Sequence, residues 1–182
     1  MNRAYAKTLL AAPMAALALL APATAGATSS GGAAYKEPPK KATVVNGKAI
    51  APANAPDKVK KVIAAANKIV EKHYRYGGGH AKFNDSAYDC SGAVSYALHG
   101  AGLLDEPLDS SSFMSWGRSG AGKWITVYAN SGHAFMMVAG LRFDTGYRDT
   151  FAARHGAKPG SGPRWGKKRS TSGFVARHHN GL

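Results

Sequence analysis

The chain has 182 residues, with 24 Lys and Arg against 10 Asp and Glu for a formal net charge of +14, and a single cysteine, Cys90. One cysteine excludes an internal disulfide framework, so a buried core has to hold the fold, and this length is enough for one such core. The charge predicts a polyanion near the place of work, bound in a way that salt weakens.

Residues 1–25 read as a signal peptide. Arg3 and Lys7 form a basic start, Leu9 to Leu20 is an apolar run broken only by Pro13, and Ala23-Thr24-Ala25 supplies small residues for cleavage. A membrane helix needs about 20 uninterrupted apolar residues; this run is shorter, so a removed address is expected rather than a transmembrane anchor. The expected location is secreted, in a cell wall or periplasm. Export makes wall polymers and anionic lipid surfaces the relevant polyanions, and no nucleic acid partner is expected. Residues 26–53, rich in Gly, Ala, Ser, Pro and Lys without an apolar period, read as a flexible linker with little fixed structure.

The domain is expected over 54–182. Asn54 is a candidate helix cap, with Pro56 and Asp57 in the first turn, and Val59, Val62, Ile63, Ala66, Ile69 and Val70 recur at helical spacing. Lys58, Lys60, Lys61 and Lys68 lie largely on the other, solvated side. Gly77-Gly78-Gly79 stops any helix, and a loop leads to Asp89. A second helix starts beside Cys90, follows Ala93, Val94, Ala97, Leu98 and Ala101, and ends at Gly100 and Gly102. After a polar stretch around Ser110, Ser111, Ser112 and Trp116 come three strands, Trp124 to Tyr128, His133 to Val138 and Leu141 to Asp144, with turns at Asn130-Ser131-Gly132 and Ala139-Gly140. Gly173 to Arg177 is a candidate last strand. The order predicts an α+β fold with helices packed on an antiparallel sheet. The run from Arg164 through Lys167, Lys168 and Arg169 to Arg177 reads as a basic C-terminal extension, either a polymer-binding surface or solvated charge; Trp165 within it either stacks on sugars or plugs the core.

A lone exported thiol is either a small buried hydrophobe or a nucleophile or intermolecular link, and its neighbours favour the nucleophile. A helix N-terminus at Cys90 lowers a thiol's pKa and offers free N–H groups to an oxyanion, with Asp89 placed to cap that turn. Of seven histidines, His133 alone opens a strand just after a glycine turn, where one polar group can be presented as a base; His80 is the next candidate. Strand alternation puts Phe135 and Met137 on the face of His133, and Ala134 and Met136 on the other. Asp144, at the end of the following antiparallel strand, returns beside His133 and is either the group that orients the imidazole or a turn aspartate before Thr145-Gly146. His178 and His179 lack clustered partner ligands, so no metal is expected, and no cofactor.

Tyr74-Arg75-Tyr76-Gly77-Gly78, then Asp89-Cys90-Ser91-Gly92 opening a helix, then Gly132-His133 opening a strand, resembles the NlpC/P60 family of papain-like cysteine peptidases over about residues 57–150. The resemblance implies a papain-like fold with the nucleophile at a helix N-terminus. It also implies hydrolysis of peptidoglycan stem peptides, usually between D-γ-glutamyl and a diamino acid, by a Cys90-His133-Asp144 triad. Tyr76 matches the family's active-site tyrosine, and Asp89 and Ser91 complete the substrate and oxyanion side. The chain departs from the pattern in having Asp144 where histidine is commonest, in lacking Gly-Asp-Leu before the histidine strand, in lacking a wall-binding repeat, and in its basic tail. Two other readings share these residues: a non-catalytic wall-binding protein of the same fold, and an amidase or acyltransferase using the same nucleophile.

Overall fold

A computed structural model describes residues 41–146 and 162–182. The expected signal peptide, the first part of the expected linker and residues 147–161 lie outside the described residues.

Structure begins earlier than the sequence reading places it. Strands β1 (Thr43–Val45) and β2 (Lys48–Ile50) form an antiparallel hairpin. Asn46 and Gly47 turn it with φ of 48° and 75°, the left-handed pair that a two-residue hairpin needs. Ala42 and Ala49 are buried, and both main-chain groups of Ala49 bond the Asn67 side chain at 2.9 and 2.8 Å. The expectation of an unstructured linker up to residue 53 is thus corrected from residue 43 onward: a two-residue turn signal outweighed the low-complexity surroundings.

Helix α1 (Asp57–Ile69) buries Val59, Val62, Ile63, Ala66 and Ile69 on one face. Its cap position is Pro56 rather than Asn54, and no side chain caps it; proline's missing N–H costs nothing at that end, where the first N–H groups lack intrahelical partners. Short parallel strands β3 (His73–Tyr74) and β4 (Ala87–Tyr88) then bracket the glycine loop. Helix α2 (Cys90–His99) follows at once, packs against α1, and closes at Gly100. Close packing explains two glycines: a Cβ on Gly92 would lie 2.0 Å from the Gly78 carbonyl oxygen, and one on Gly100 would lie 2.4 Å from Ala65 Cβ. The polar stretch holds a further short helix, α3 (Ser110–Phe113), capped by Asp109.

In the described residues six strands then build one antiparallel sheet: β5 (Arg118–Ser119), β6 (Ile125–Asn130), β7 (His133–Val138), β8 (Leu141–Asp144), β9 (Arg164–Gly166) and β10 (Val175–His178), in the order β5-β10-β6-β7-β8-β9. The expected α+β architecture is what the chain adopts. The inner face of the sheet, with Val127, Ala129, Ala134, Met136, Val138 and Phe143, packs with both helices into one core. Both ends of the expected basic extension are part of the sheet: β9 pairs with β8, β10 with β6 and β5, and Trp165 is buried against Phe143 with its Nε1–H donating to Asn67 Oδ1 at 2.8 Å. Trp165 therefore plugs the core.

Candidate active site

Cys90 is the first residue of α2, and Asp89 holds that end in place. The Asp89 carboxylate accepts the Gly92 N–H at 2.8 Å and the Gly77 N–H at 3.0 Å, and lies 3.0 Å from His80 Nε2 and 3.3 Å from Ser91 Oγ. These bonds tie the glycine loop to the helix start. The N–H groups of Cys90 and Ser91, as the first in the helix, have no acceptor among the described residues, and stand ready for an oxyanion.

His133 opens β7 because Asn130 shapes the turn before it. The Asn130 side-chain oxygen accepts the N–H groups of Gly132 and His133 at 3.0 and 2.9 Å, while its amide donates to the Gly173 carbonyl at 3.1 Å. The second bond brings in Phe174, which meets the His133 ring edge-on at 6.2 Å between centroids. Asn130 was read from the sequence only as a turn residue; an Asn heading Asn-Ser-Gly before a strand is the signal that carried this role. Beyond it, β7 alternates as expected: Ala134 and Met136 face the helices, while Phe135 stacks with Tyr128 on the outer side.

Asp144 ends β8 with its side chain fully enclosed, and its Oδ1 meets His133 Nε2 at 2.8 Å. The same oxygen accepts the Gly146 N–H at 2.8 Å, so one carboxylate makes both the contact with the imidazole and the turn contact. Its Oδ2 accepts from Arg169 Nη1 at 3.2 Å and stands 3.7 Å from Arg142 Nε. With Nε2 engaged by Asp144, Nδ1 is the ring nitrogen left for Cys90.

The electrostatics follow from this chain of contacts. Burial pushes the Cys90 thiol up, but hydrogen bonds from His133 and the Ala134 N–H, with the imidazolium charge, outweigh it and leave the thiol below its ordinary value. Burial pushes His133 down, yet the bonds to Asp144 and Cys90 raise it to about 9. Asp144 is pushed up by burial and held below the carboxylate range by the His133 hydrogen bond and charge. Opposite shifts on partners in contact mean that each group favours the charged form of the other, the thiolate and the imidazolium.

The chain is similar in structure to NlpC/P60 domain proteins. Among solved structures, the peptidoglycan hydrolase RipB of Mycobacterium tuberculosis is 21% identical, with 71% of this chain and 68% of that one covered at a TM-score of 0.49. RipD of the same organism, described as a non-catalytic NlpC/p60 domain protein adapted to peptidoglycan binding, is 16% identical, with 68% and 98% covered at 0.47. A hypothetical invasion protein of that organism is 19% identical at 0.46; the chain covers 61% of its length, using 66% of its own. No family model and no curated protein matches the chain. What the site does is therefore argued from its own geometry.

The structure brings Cys90, His133 and Asp144 together and separates them from the expected tyrosine. Tyr76, which the resemblance matches to an active-site tyrosine, is 90% exposed. Tyr74 is set nearer: it pairs with Tyr88 in β3–β4, the residue before Asp89 and Cys90. Its hydroxyl is raised above the usual tyrosine value by burial and then by the negative charges of Cys90 and Asp89. Two tyrosines two residues apart looked alike in sequence; the pairing of β3 with β4 distinguishes them. Ser91 is buried with its hydroxyl against His80 and Asp89, and the Asp89 oxygens accept from the loop and helix. Both residues, expected on the substrate side, stand behind the nucleophile as its support. His80 joins this support. His178 and His179 direct Nδ1 at the carbonyls of Gly120 and Asn180.

Proposed function

We propose that this chain is a secreted cysteine peptidase that hydrolyses amide bonds in the stem peptides of bacterial cell wall, at the bond between D-γ-glutamyl and a diamino acid. The observation that carries the reading is the linked set of Cys90, His133 and Asp144, in which the thiol is lowered and the imidazole raised. In the reaction, the Cys90 thiolate attacks the scissile carbonyl and the oxyanion is met by the Cys90 N–H at the head of α2, with the Tyr74 hydroxyl beside it. His133 protonates the departing amine, leaving a thioester on Cys90. It then takes a proton from water, which attacks the thioester and regenerates the thiol. Asp144 holds the imidazole so that Nδ1 faces the sulfur. The basic surface adds a docking role on anionic wall polymers.

Digestion of purified cell wall, with mass spectrometry of the released peptides, tests this directly. Wild-type protein is expected to release stem-peptide fragments with a new D-γ-glutamyl terminus, and the Cys90→Ala protein none, with its fold unchanged by circular dichroism. Equal release by both proteins would end the assignment of Cys90. Release of sugars with an intact stem, or transfer of an acyl group without hydrolysis, would point to the amidase or acyltransferase reading, since a Cys-His pair is indifferent to what flanks the carbonyl.

A further inference from the structure

Beside His133 is an open pocket of about 380 Å³ lined by Gly132, His133, Gly146, Arg169 and Phe174. Its volume is enough for one amino-acid side chain. Arg169 is its cation. The guanidinium carbon lies 5.2 Å from the centre of the Phe135 ring and 5.5 Å from that of Phe174, a placement that fixes a flexible side chain and strips water from it. Its single hydrogen bond among the described residues, to Asp144 Oδ2 at 3.2 Å, uses one of the five N–H donors that a guanidinium carries. The side chain is 32% exposed. A cation so held, with donors to spare and one side open, is a receptor for a planar anion, and carboxylate matches its fork.

The position of the pocket says which part of a substrate reaches it. His133 gives its proton to the departing amine, so the amine-side residue lies against the imidazole. The pocket includes His133 and no residue of α2, and so continues from that half of the cleft.

We infer that this pocket is a carboxylate subsite for the leaving residue, read by Arg169, so that the site favours a diamino acid bearing a free side-chain carboxylate over one that is amidated or lacks it. This rests on the hydrolytic reading above for its orientation. Arg169 is a specificity residue here, and its bond to Asp144 is what positions it.

The test uses two soluble stem peptides that differ only in carboxylate against carboxamide on the leaving residue. Affinity for each is measured by calorimetry in the Cys90→Ala protein, alone and combined with Arg169→Gln or Arg169→Lys. Gln keeps a donor for Asp144 but no charge; Lys keeps the charge without the fork. The parent is expected to prefer the carboxylate by about tenfold or more, the range for a charged hydrogen bond. Gln should erase the preference and Lys keep a reduced one. Equal affinity for both peptides in the parent, or a preference that survives Arg169→Gln, overturns the subsite. In wild-type enzyme the same discrimination should appear in KM more than kcat. A preference in binding without hydrolysis of either peptide would sink the peptidase reading and leave the subsite standing.

Discussion

At the scale of single residues, the site turns on how one buried carboxylate is shared. Asp144 contacts His133, Gly146 and Arg169 at once, so its charge supports the imidazolium while its position is fixed from the other side. Asp144→Asn keeps the shape and removes the charge. The alkylation rate of Cys90 against pH is expected to move its rise to higher pH in this variant, and hydrolysis to fall by orders of magnitude, as when a triad carboxylate is neutralised. Superimposable profiles with normal hydrolysis would reduce Asp144 to a turn residue.

The His133 shift sets the pH behaviour of the wild type. Its proton is held up to about pH 9. Hydrolysis should therefore decline as pH rises through that value, because the general acid is lost, while alkylation of the thiolate does not decline. Stability follows the same sign. A folded value raised above the ordinary 6.5 contributes stability fully present below that pH and lost as pH rises toward 9. For Asp144, lowered from 3.8, the contribution is present above that value and lost in acid. Tyr74 gives a separate check: Tyr74→Phe should lower kcat/KM by about tenfold or more, less than the roughly 10² to 10³ of a full oxyanion donor, whereas Tyr76→Phe should leave it near wild type. The reverse ranking, in proteins of equal melting temperature, would restore Tyr76.

At the scale of elements, legibility followed the length of the periodic signal. β7 and β8 are legible from their alternation and from the glycine turn between them, and α1 and α2 from apolar spacing, so the elements that carry Cys90, His133 and Asp144 stand where the sequence expects them. β9 could not be read, because Arg164-Trp165-Gly166 is three residues inside a basic run and owes its strand state to pairing with β8. The β1–β2 hairpin carried a local signal in Asn46-Gly47, masked by its Gly- and Ala-rich approach. Both omissions meet at Asn67, whose side chain bonds Ala49 and Trp165. Trp165 is thus the bolt of the edge. Trp165→Ala is expected to cost about 3–5 kcal/mol, the range for emptying a large aromatic site in a core. Equilibrium denaturation measures it; a loss below about 1 kcal/mol, the level of a surface change, would return Trp165 to the surface role that the sequence left open.

At the scale of the whole molecule, positive charge is also gathered away from the candidate site. Lys61 and Lys68 line a groove where α1 meets the end of α2, together with Tyr96 and His99, none of them residues of the catalytic contacts. Binding to whole cell wall should weaken steeply as salt shortens the screening length from about 30 Å at 0.01 M to about 10 Å at 0.1 M. Cleavage of a small soluble stem peptide should change far less. Joint Lys61→Ala and Lys68→Ala substitution should flatten the first dependence and leave the second as it was. Equal salt sensitivity of binding and peptide cleavage would remove the case for an electrostatic docking surface.

The way the hairpin is fastened also has a mechanical side. The N–H of Ala42 is bonded to the carbonyl of Ala139 at 2.9 Å, just past the end of β7 opposite His133. Six residues of strand lie between, roughly 20 Å at about 3.3 Å per residue. Tension applied through the N-terminal side, by immobilisation on a bead or by attachment to a surface, enters at this mooring and is shared with the hairpin and Asn67 before it reaches the sheet. A molecule held by its N-terminal side is therefore moored at the end of β7 farthest from His133.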